Sequence, residues 1–129
     1  MVTTRSIPAP RPHPDTQAFW DAAVNGKFLI RRCDACGKTH WYPRPICPFC
    51  ASPATQWIEA SGRGTVYSYS VNRHADPVYI IAYVTLAEGP TMLTNLVDCN
   101  PDEPLIGRTV KLVFTPTDGG PPVPTFTLA

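Results

Sequence analysis

Four cysteines, Cys33, Cys36, Cys47 and Cys50, are spaced C-x2-C-x10-C-x2-C. Two such knuckles, each bringing a pair of sulfurs to one side of a tight turn, close a tetrahedral thiolate cage around one metal ion, the pattern of a zinc ribbon. Backbone amides in each turn point at the sulfurs and share their charge with the metal. Cys36-Gly37-Lys38 suits such a turn, whereas Cys47-Pro48-Phe49-Cys50-Ala51 lacks the glycine that takes a left-handed conformation without strain. Four protein ligands leave no open coordination position, so the expectation is one structural zinc and no metal chemistry. Iron in a rubredoxin-like centre uses the same ligands, and ligand identity alone does not separate the two metals. Disulfides are disfavoured: no apolar signal segment follows Met1, and paired C-x-x-C motifs in a chain expected to be cytoplasmic read as metal-binding.

Outside the cysteine cluster the chain is poor in catalytic apparatus. It has no G-x-S-x-G, no P-loop and no G-x-G-x-x-G after a strand. Cys99 is the remaining thiol; a nucleophile needs a base, and nothing in the sequence brings His40 or His74 to it, so an inert cysteine is expected. Gly62-Arg63-Gly64 is too short to cradle a phosphate and reads as a bend at a barrel corner. No catalytic residue is assigned.

The formal charge is +1, and four thiolates around one zinc bring it to about −1. Its distribution is uneven: residues 26–50 hold Lys27, Arg31, Arg32, Lys38 and Arg44 against Asp34, whereas residues 63–129 hold four basic and six acidic residues. A basic ribbon suits an anionic surface or ligand, with Arg31, Arg32, Lys38 and Arg44 as candidate contacts, although a solvated basic face is the commoner explanation of such a cluster. Arg73 and His74, in the loop after the first long strand, are candidate contacts for an anionic ligand or a partner carboxylate, against the commoner reading of plain surface loop residues.

Periodicity supplies the elements that position these groups. Residues 1–14 carry alternating prolines at Pro8, Pro10, Pro12 and Pro14 and read as an extended tail or linker, as in a chain cut from a longer fusion. Residues 15–26 read as one short helix, with Asp15 as N-cap, i,i+4 pairs Phe19/Ala23 and Trp20/Val24, and Asn25-Gly26 as the stop. Residues 27–57 form the ribbon. From residue 58 to 129 the period is two, with strands predicted over 65–71, 78–86, 91–97, 109–115 and 123–128, enough for a small closed barrel. Val78, Ile80, Ala82, Val84 and Leu86, with Val110, Leu112 and Phe114, are the predicted inward faces. The opposite face, Tyr79, Ile81 and Tyr83, is more apolar than solvent requires and is a candidate partner surface, as are Phe19 and Trp20 if the helix does not bury them. No apolar run approaches the roughly 20 residues needed to span a bilayer.

Taken in order, Phe19-Trp20, Cys33-x-x-Cys36-Gly37, Pro43-Arg44-x-x-Cys47-Pro48-x-Cys50, Trp57, Gly62-x-Gly64-x-Val66-Tyr67-Ser68 and Glu88-Gly89-Pro90 resemble one family. These are the zinc-ribbon plus OB-fold proteins associated with acyl-CoA enzymes, known as domain of unknown function thirty-five. The resemblance extends from residue 17 to about 128 and implies a mainly β protein: a short N-terminal helix, a rubredoxin-like ribbon and a five-stranded OB-fold barrel. It further implies a non-catalytic accessory subunit of a thiolase-superfamily enzyme, whether β-ketothiolase, acyltransferase or a lipid-transfer-protein-like aldolase of steroid side-chain degradation. A heterotetramer, a share in the partner's acyl-CoA channel and a MaoC-like hydratase domain in the same chain or complex belong to that implication. The competing reading is a single-stranded nucleic-acid module, in which Tyr67 and Tyr69 on one face stack bases; the acidic balance of residues 63–129 counts against it.

Overall fold

The computed structural model describes residues 5–129. Among these the chain forms one helix and eight strands. Helix α1 (Gln17–Val24) buries Phe19, Trp20 and Ala23. Asp15 lies one position outside the N-cap, which Thr16 occupies. The Thr16 hydroxyl turns back to accept the His13 amide at 3.1 Å, so no side chain caps the first turn. The other end follows the sequence: Gly26 takes φ +76°, and the amides of Gly26 and Lys27 donate to the carbonyls of Ala23 and Ala22.

The ribbon is a small antiparallel sheet of β1 (Leu29–Cys33), β2 (Thr39–His40) and β3 (Thr55–Glu59) in the order β2-β1-β3. β4 (Arg63–Asn72), β5 (Tyr79–Leu86), β6 (Thr91–Leu96), β7 (Thr109–Thr115) and β8 (Val123–Leu128) close into a barrel of order β4-β5-β6-β8-β7, the OB-fold arrangement. Antiparallel pairing joins every neighbour except β6 and β8, which run parallel and share one register pair, Leu96 with Phe126.

Alternation explains which residues point inward. Ile80, Ala82, Val84, Leu86 and Val110 are buried, as their period-two spacing requires. Val78 departs from the prediction: it precedes β5 and is 46% exposed, because the strand begins at Tyr79. Leu112 and Phe114 are only half-buried, packed against the rim of the core.

The barrel turns its corner at Gly64. A Cβ there would lie 2.6 Å from Val84 Cγ1 and 2.8 Å from the Thr85 carbonyl oxygen, so β4 and β5 approach only because the side chain is absent. A β-bulge follows, with Val66 opposite Val84 but Ser68 opposite Tyr83, leaving Tyr67 without a partner. The extra residue reverses the parity of β4, so that Val66 points in and Tyr67 out, while beyond the bulge it is Tyr69 and Val71 that pack on the core.

Helix, ribbon and barrel share one aromatic seam. Phe19 meets Trp20 at 4.9 Å and Trp41 at 5.2 Å between ring centroids, and Phe28 meets Trp41 at 5.7 Å and Phe126 at 6.5 Å. Phe19 and Trp20 are therefore not partner-facing; Phe19 is fully buried and Trp20 nearly so. Polar links reinforce the seam: the Thr39 hydroxyl donates to the Glu88 carbonyl and the Ser61 amide to Glu88 Oε2, both at 2.8 Å.

The described part of the predicted tail does not hang free. Ile7 accepts the Asp118 amide at 2.9 Å, Pro8 bridges Asp118, and Ala9 sits against Gly120. Residues 5–9 thus form a strap along the β7–β8 hairpin.

Gly64→Ala is expected to destabilise the protein by about 1–3 kcal/mol through overpacking against Val84 and Thr85, measured as a lowered urea midpoint. An unchanged midpoint would mean that the corner relaxes freely.

Candidate metal centre and surrounding surface

β1 delivers Cys33 to the first knuckle, and the loop between β2 and β3 supplies the second. Each closes with the same bonds. The Gly37 amide donates to the Cys33 carbonyl at 2.8 Å, and the Ala51 amide to the Cys47 carbonyl at 2.9 Å. Gly37 has φ +77°; Ala51 has φ +64° and takes up the left-handed conformation despite its Cβ. The missing glycine thus alters the strain of the second knuckle and leaves its geometry intact.

The four Sγ atoms lie within 4.8 Å of one another, with Cys33 and Cys50 3.6 Å apart and Cys36 and Cys47 3.7 Å apart. A regular tetrahedron with metal–sulfur distances of about 2.3 Å puts neighbouring sulfurs about 3.8 Å apart, whereas a disulfide needs about 2.05 Å. The donor set therefore fits one zinc ion. The Phe49 amide points at Cys47 Sγ at 3.4 Å, the amide–sulfur contact expected of a knuckle. The Cys36 amide and then that of Ala35 lower the Cys33 thiol to about 7. At Cys50 the Ser52 amide acts to lower the value, but the shared hydrogen bond with Cys33 and burial outweigh it and push the thiol up to about 11. Metal binding deprotonates the sulfurs that hold it.

His40, on β2, is buried directly behind the second loop, and its Nε2 accepts the Arg44 amide at 3.2 Å. Burial lowers its pKa from the ordinary 6.5, and the nearby charges of Arg31 and Arg44 act in the same direction. The imidazole is a structural acceptor that holds the second loop to the sheet, a role its sequence position did not disclose.

The basic candidates divide into two groups. Arg31 stacks on Trp57 at 4.5 Å and donates from Nε to the Arg44 carbonyl at 3.4 Å. Lys38 lies 5.0 Å from the Phe49 ring, linking the two knuckles, and Arg32 lies 3.8 Å from Asp34. Arg44 is exposed. Arg73 and His74 lie beyond the other end of the β4–β5 hairpin, away from Glu88 and the ribbon. Arg73 pairs with Asp102 at 3.0 Å, and His74 is an exposed loop residue. The six do not form one patch.

Across the barrel, Tyr67, Ile81, Tyr83 and Leu93 are 68%, 37%, 47% and 56% exposed. Tyr83 stands opposite both Ser68 and Leu93, so the three strands β4, β5 and β6 present one apolar outer stripe. Tyr79 leaves this group: the Arg5 guanidinium covers its ring at 4.1 Å and Asn72 donates to its hydroxyl at 2.9 Å. Leu93 was missed in the sequence, although Met92, Thr94 and Leu96 facing inward place it outward by alternation. The bulge removes the proposed base-stacking pair, because Tyr67 is exposed whereas Tyr69 packs inward and donates to the Glu103 carbonyl at 3.2 Å. Cys99 is half-buried and its thiol raised by burial, consistent with an inert cysteine. Among the described residues no helix is long and apolar enough to cross a membrane.

Two family models match in succession: ChsH2, rubredoxin-like zinc ribbon domain, over residues 20–56, and ChsH2, C-terminal OB-fold domain, over residues 57–115. A probable enoyl-CoA hydratase alpha subunit of Thermomonospora curvata is 38% identical over 96% of the chain, which spans 42% of that relative's length. A DUF35 domain-containing scaffold protein of Methanothermobacter thermautotrophicus is 37% identical, the match covering 64% of this chain and 68% of the relative. Among solved structures, the Ltp2-ChsH2(DUF35) aldolase contains a chain that superposes with a TM-score of 0.80 at 35% identity, covering 92% of this chain and 98% of that one.

Cys33→Ser is expected to abolish stoichiometric zinc and unfold the ribbon, since structural zinc contributes about 10–16 kcal/mol of apparent binding energy in finger peptides; metal analysis with near-UV circular dichroism reads both. His40 gives a second expectation. Its folded pKa lies below the unfolded one, so its contribution to stability is complete above pH 6.5 and is lost as pH falls through the lower folded value. In the zinc-loaded protein, His40→Gln should flatten that part of the acid limb; an unchanged pH profile would remove His40 from it.

Proposed function

The chain belongs to the DUF35 family, with a ChsH2-type zinc ribbon and OB-fold, and from that premise we propose that it is a non-catalytic accessory subunit of a thiolase-superfamily enzyme acting on acyl-CoA. The observation that carries the reading is the apolar stripe of Tyr67, Ile81, Tyr83 and Leu93 on a barrel whose one metal site has four protein ligands. Exposed aromatic and aliphatic side chains grouped on one face are what a stable partner buries. The closed thiolate set offers no position for substrate, so the chemistry belongs to the partner.

Within this reading the ribbon approaches the CoA end of the partner's channel. Arg44 is the cation best placed for phosphate, because Arg31 and Lys38 also serve to order rings of the ribbon itself and Arg32 stands beside Asp34. Arg73 is held by Asp102 and His74 lies beside it, so both suit a partner carboxylate better than the CoA phosphates. A β-ketothiolase, an acyltransferase or a steroid side-chain aldolase fits as partner, in a heterotetramer of two chains of each kind. The hydratase-named relative supports a MaoC-like hydratase domain in the same chain or complex. Cytoplasmic residence accords with a site built from free thiols.

Co-expression with thiolase-superfamily and hydratase candidates should give a co-eluting, zinc-containing complex with acyl-CoA activity, while the isolated chain shows no turnover. Leu93→Asp and Tyr83→Asp should each weaken assembly by about 2 kcal/mol or more, as for central anchors, with zinc content unchanged. Arg44→Gln should raise KM for acyl-CoA in the complex and leave assembly intact. Full activity of the partner alone, or assembly indifferent to both stripe variants, would sink the proposal.

A further inference from the structure

The barrel closes with least pairing at the seam between β6 and β8. β6 and β8 share only the Leu96–Phe126 pair, supported by the Thr94 hydroxyl donating to the Pro124 carbonyl at 3.0 Å. Beside this seam lies a cleft of about 590 Å3 bounded by the strap and by the ends of β5, β6 and β7. That volume is in the range of small-molecule sites. Its walls are mainly apolar, with Ile7 of the strap and Val78, Leu96, Val113 and Phe114 of the barrel among them.

The polar groups of the cleft are unequal. Thr115 and Thr125 bond to each other at 2.7 Å, so their hydroxyls are already engaged. Arg5 is different. It lies over the Tyr79 ring at 4.1 Å and donates to Asn95 Oδ1 at 3.0 Å, which fixes the guanidinium at the edge of the cleft. Among the described residues no carboxylate pairs with it; the ion pairs are Arg32–Asp34, Arg73–Asp102 and Arg108–Glu103, and Asp98, which also lines the cleft, takes part in none. An oriented cation that meets no carboxylate among the described residues, beside an apolar slot, matches a ligand with an apolar body and one anionic end.

We propose that this cleft binds a single-chain aliphatic carboxylate, its chain between strap and barrel and its carboxylate on Arg5. The cleft lies at one end of the outer stripe, where Asn95 stands opposite Ile81, and binding there does not depend on the partner enzyme.

The test titrates the zinc-loaded chain with dodecanoate, below its micelle concentration, and with dodecanol as the uncharged counterpart, following backbone amide resonances. Dodecanoate should give saturable shifts at Tyr79, Asn95 and Val113. Arg5→Gln should weaken dodecanoate by about tenfold, as loss of a charge-assisted bond does, and leave dodecanol unaffected. Val78→Trp, at an exposed position outside the ladder, should fill the slot and block both ligands; Val113→Trp carries the same test should the first variant lose its spectral dispersion. Absence of saturation, shifts centred on Tyr83 and Leu93, or binding indifferent to the filling variants would overturn the site. Equal dodecanoate affinity in Arg5→Gln would overturn the carboxylate assignment.

Discussion

The contact between Phe28 and Phe126 is the constraint on which the rest of the structure depends. Phe28 opens the ribbon, Phe126 lies in the last barrel strand, and both are essentially inaccessible to solvent. A ribbon of three short strands has too little apolar surface to fold alone, and units this small need a metal or a neighbour. Here it has both. Trp41 and the helix residue Phe19 complete the aromatic seam, so ordering the ribbon also orders the helix, and the Ala60 amide bonding to the Phe28 carbonyl at 2.8 Å fixes where the chain enters the barrel. The zinc site is thus held on the barrel as part of one packed body.

The two knuckles show how the metal organises a local sequence that is not ideal. Gly37 enters the left-handed region freely, whereas Ala51 does so against the steric resistance of its Cβ, which costs on the order of 1–2 kcal/mol. That cost is small beside the binding energy of a structural zinc. The amide bonds that close both turns are the same, so geometry at the sulfurs is symmetric while the local strain is not.

Much of this was legible in the sequence, and the exceptions share a cause. The cysteine spacing disclosed the cage because knuckle geometry is local, and alternation disclosed the five barrel strands because the period of a half-buried strand is local too. Gly64 was legible as a corner for the same reason. What stayed hidden depended on non-local pairing. The bulge at Tyr67 exists only relative to the register of β5, so Tyr67 and Tyr69 seemed to share a face that the fold denies them. Phe19 and Trp20 looked equally fit for a partner or a core until Phe28 and Trp41 were seen to receive Phe19. The alternating prolines read as a tail or linker, yet composition says nothing about such a segment finding Asp118 and Gly120 to lie against.

Closure of the barrel also limits how anything can bind it. An open sheet offers unpaired amides and carbonyls, and partners exploit them by adding a strand. Here β4 is closed onto β7, and the weak β6–β8 seam lies beside the strap. Under the proposed accessory role, recognition on the outer face of β4, β5 and β6 proceeds through side chains, with Tyr83 and Leu93 paired across strands. Such a surface can stay apolar without inviting strand-edge aggregation, since the backbone behind it is already satisfied. The bulge adds Tyr67 to the same surface by turning it outward, and the reversal of parity that follows turns Tyr69 against the core. One inserted residue thereby widens the external stripe and adds half-buried side chains to the edge of the core.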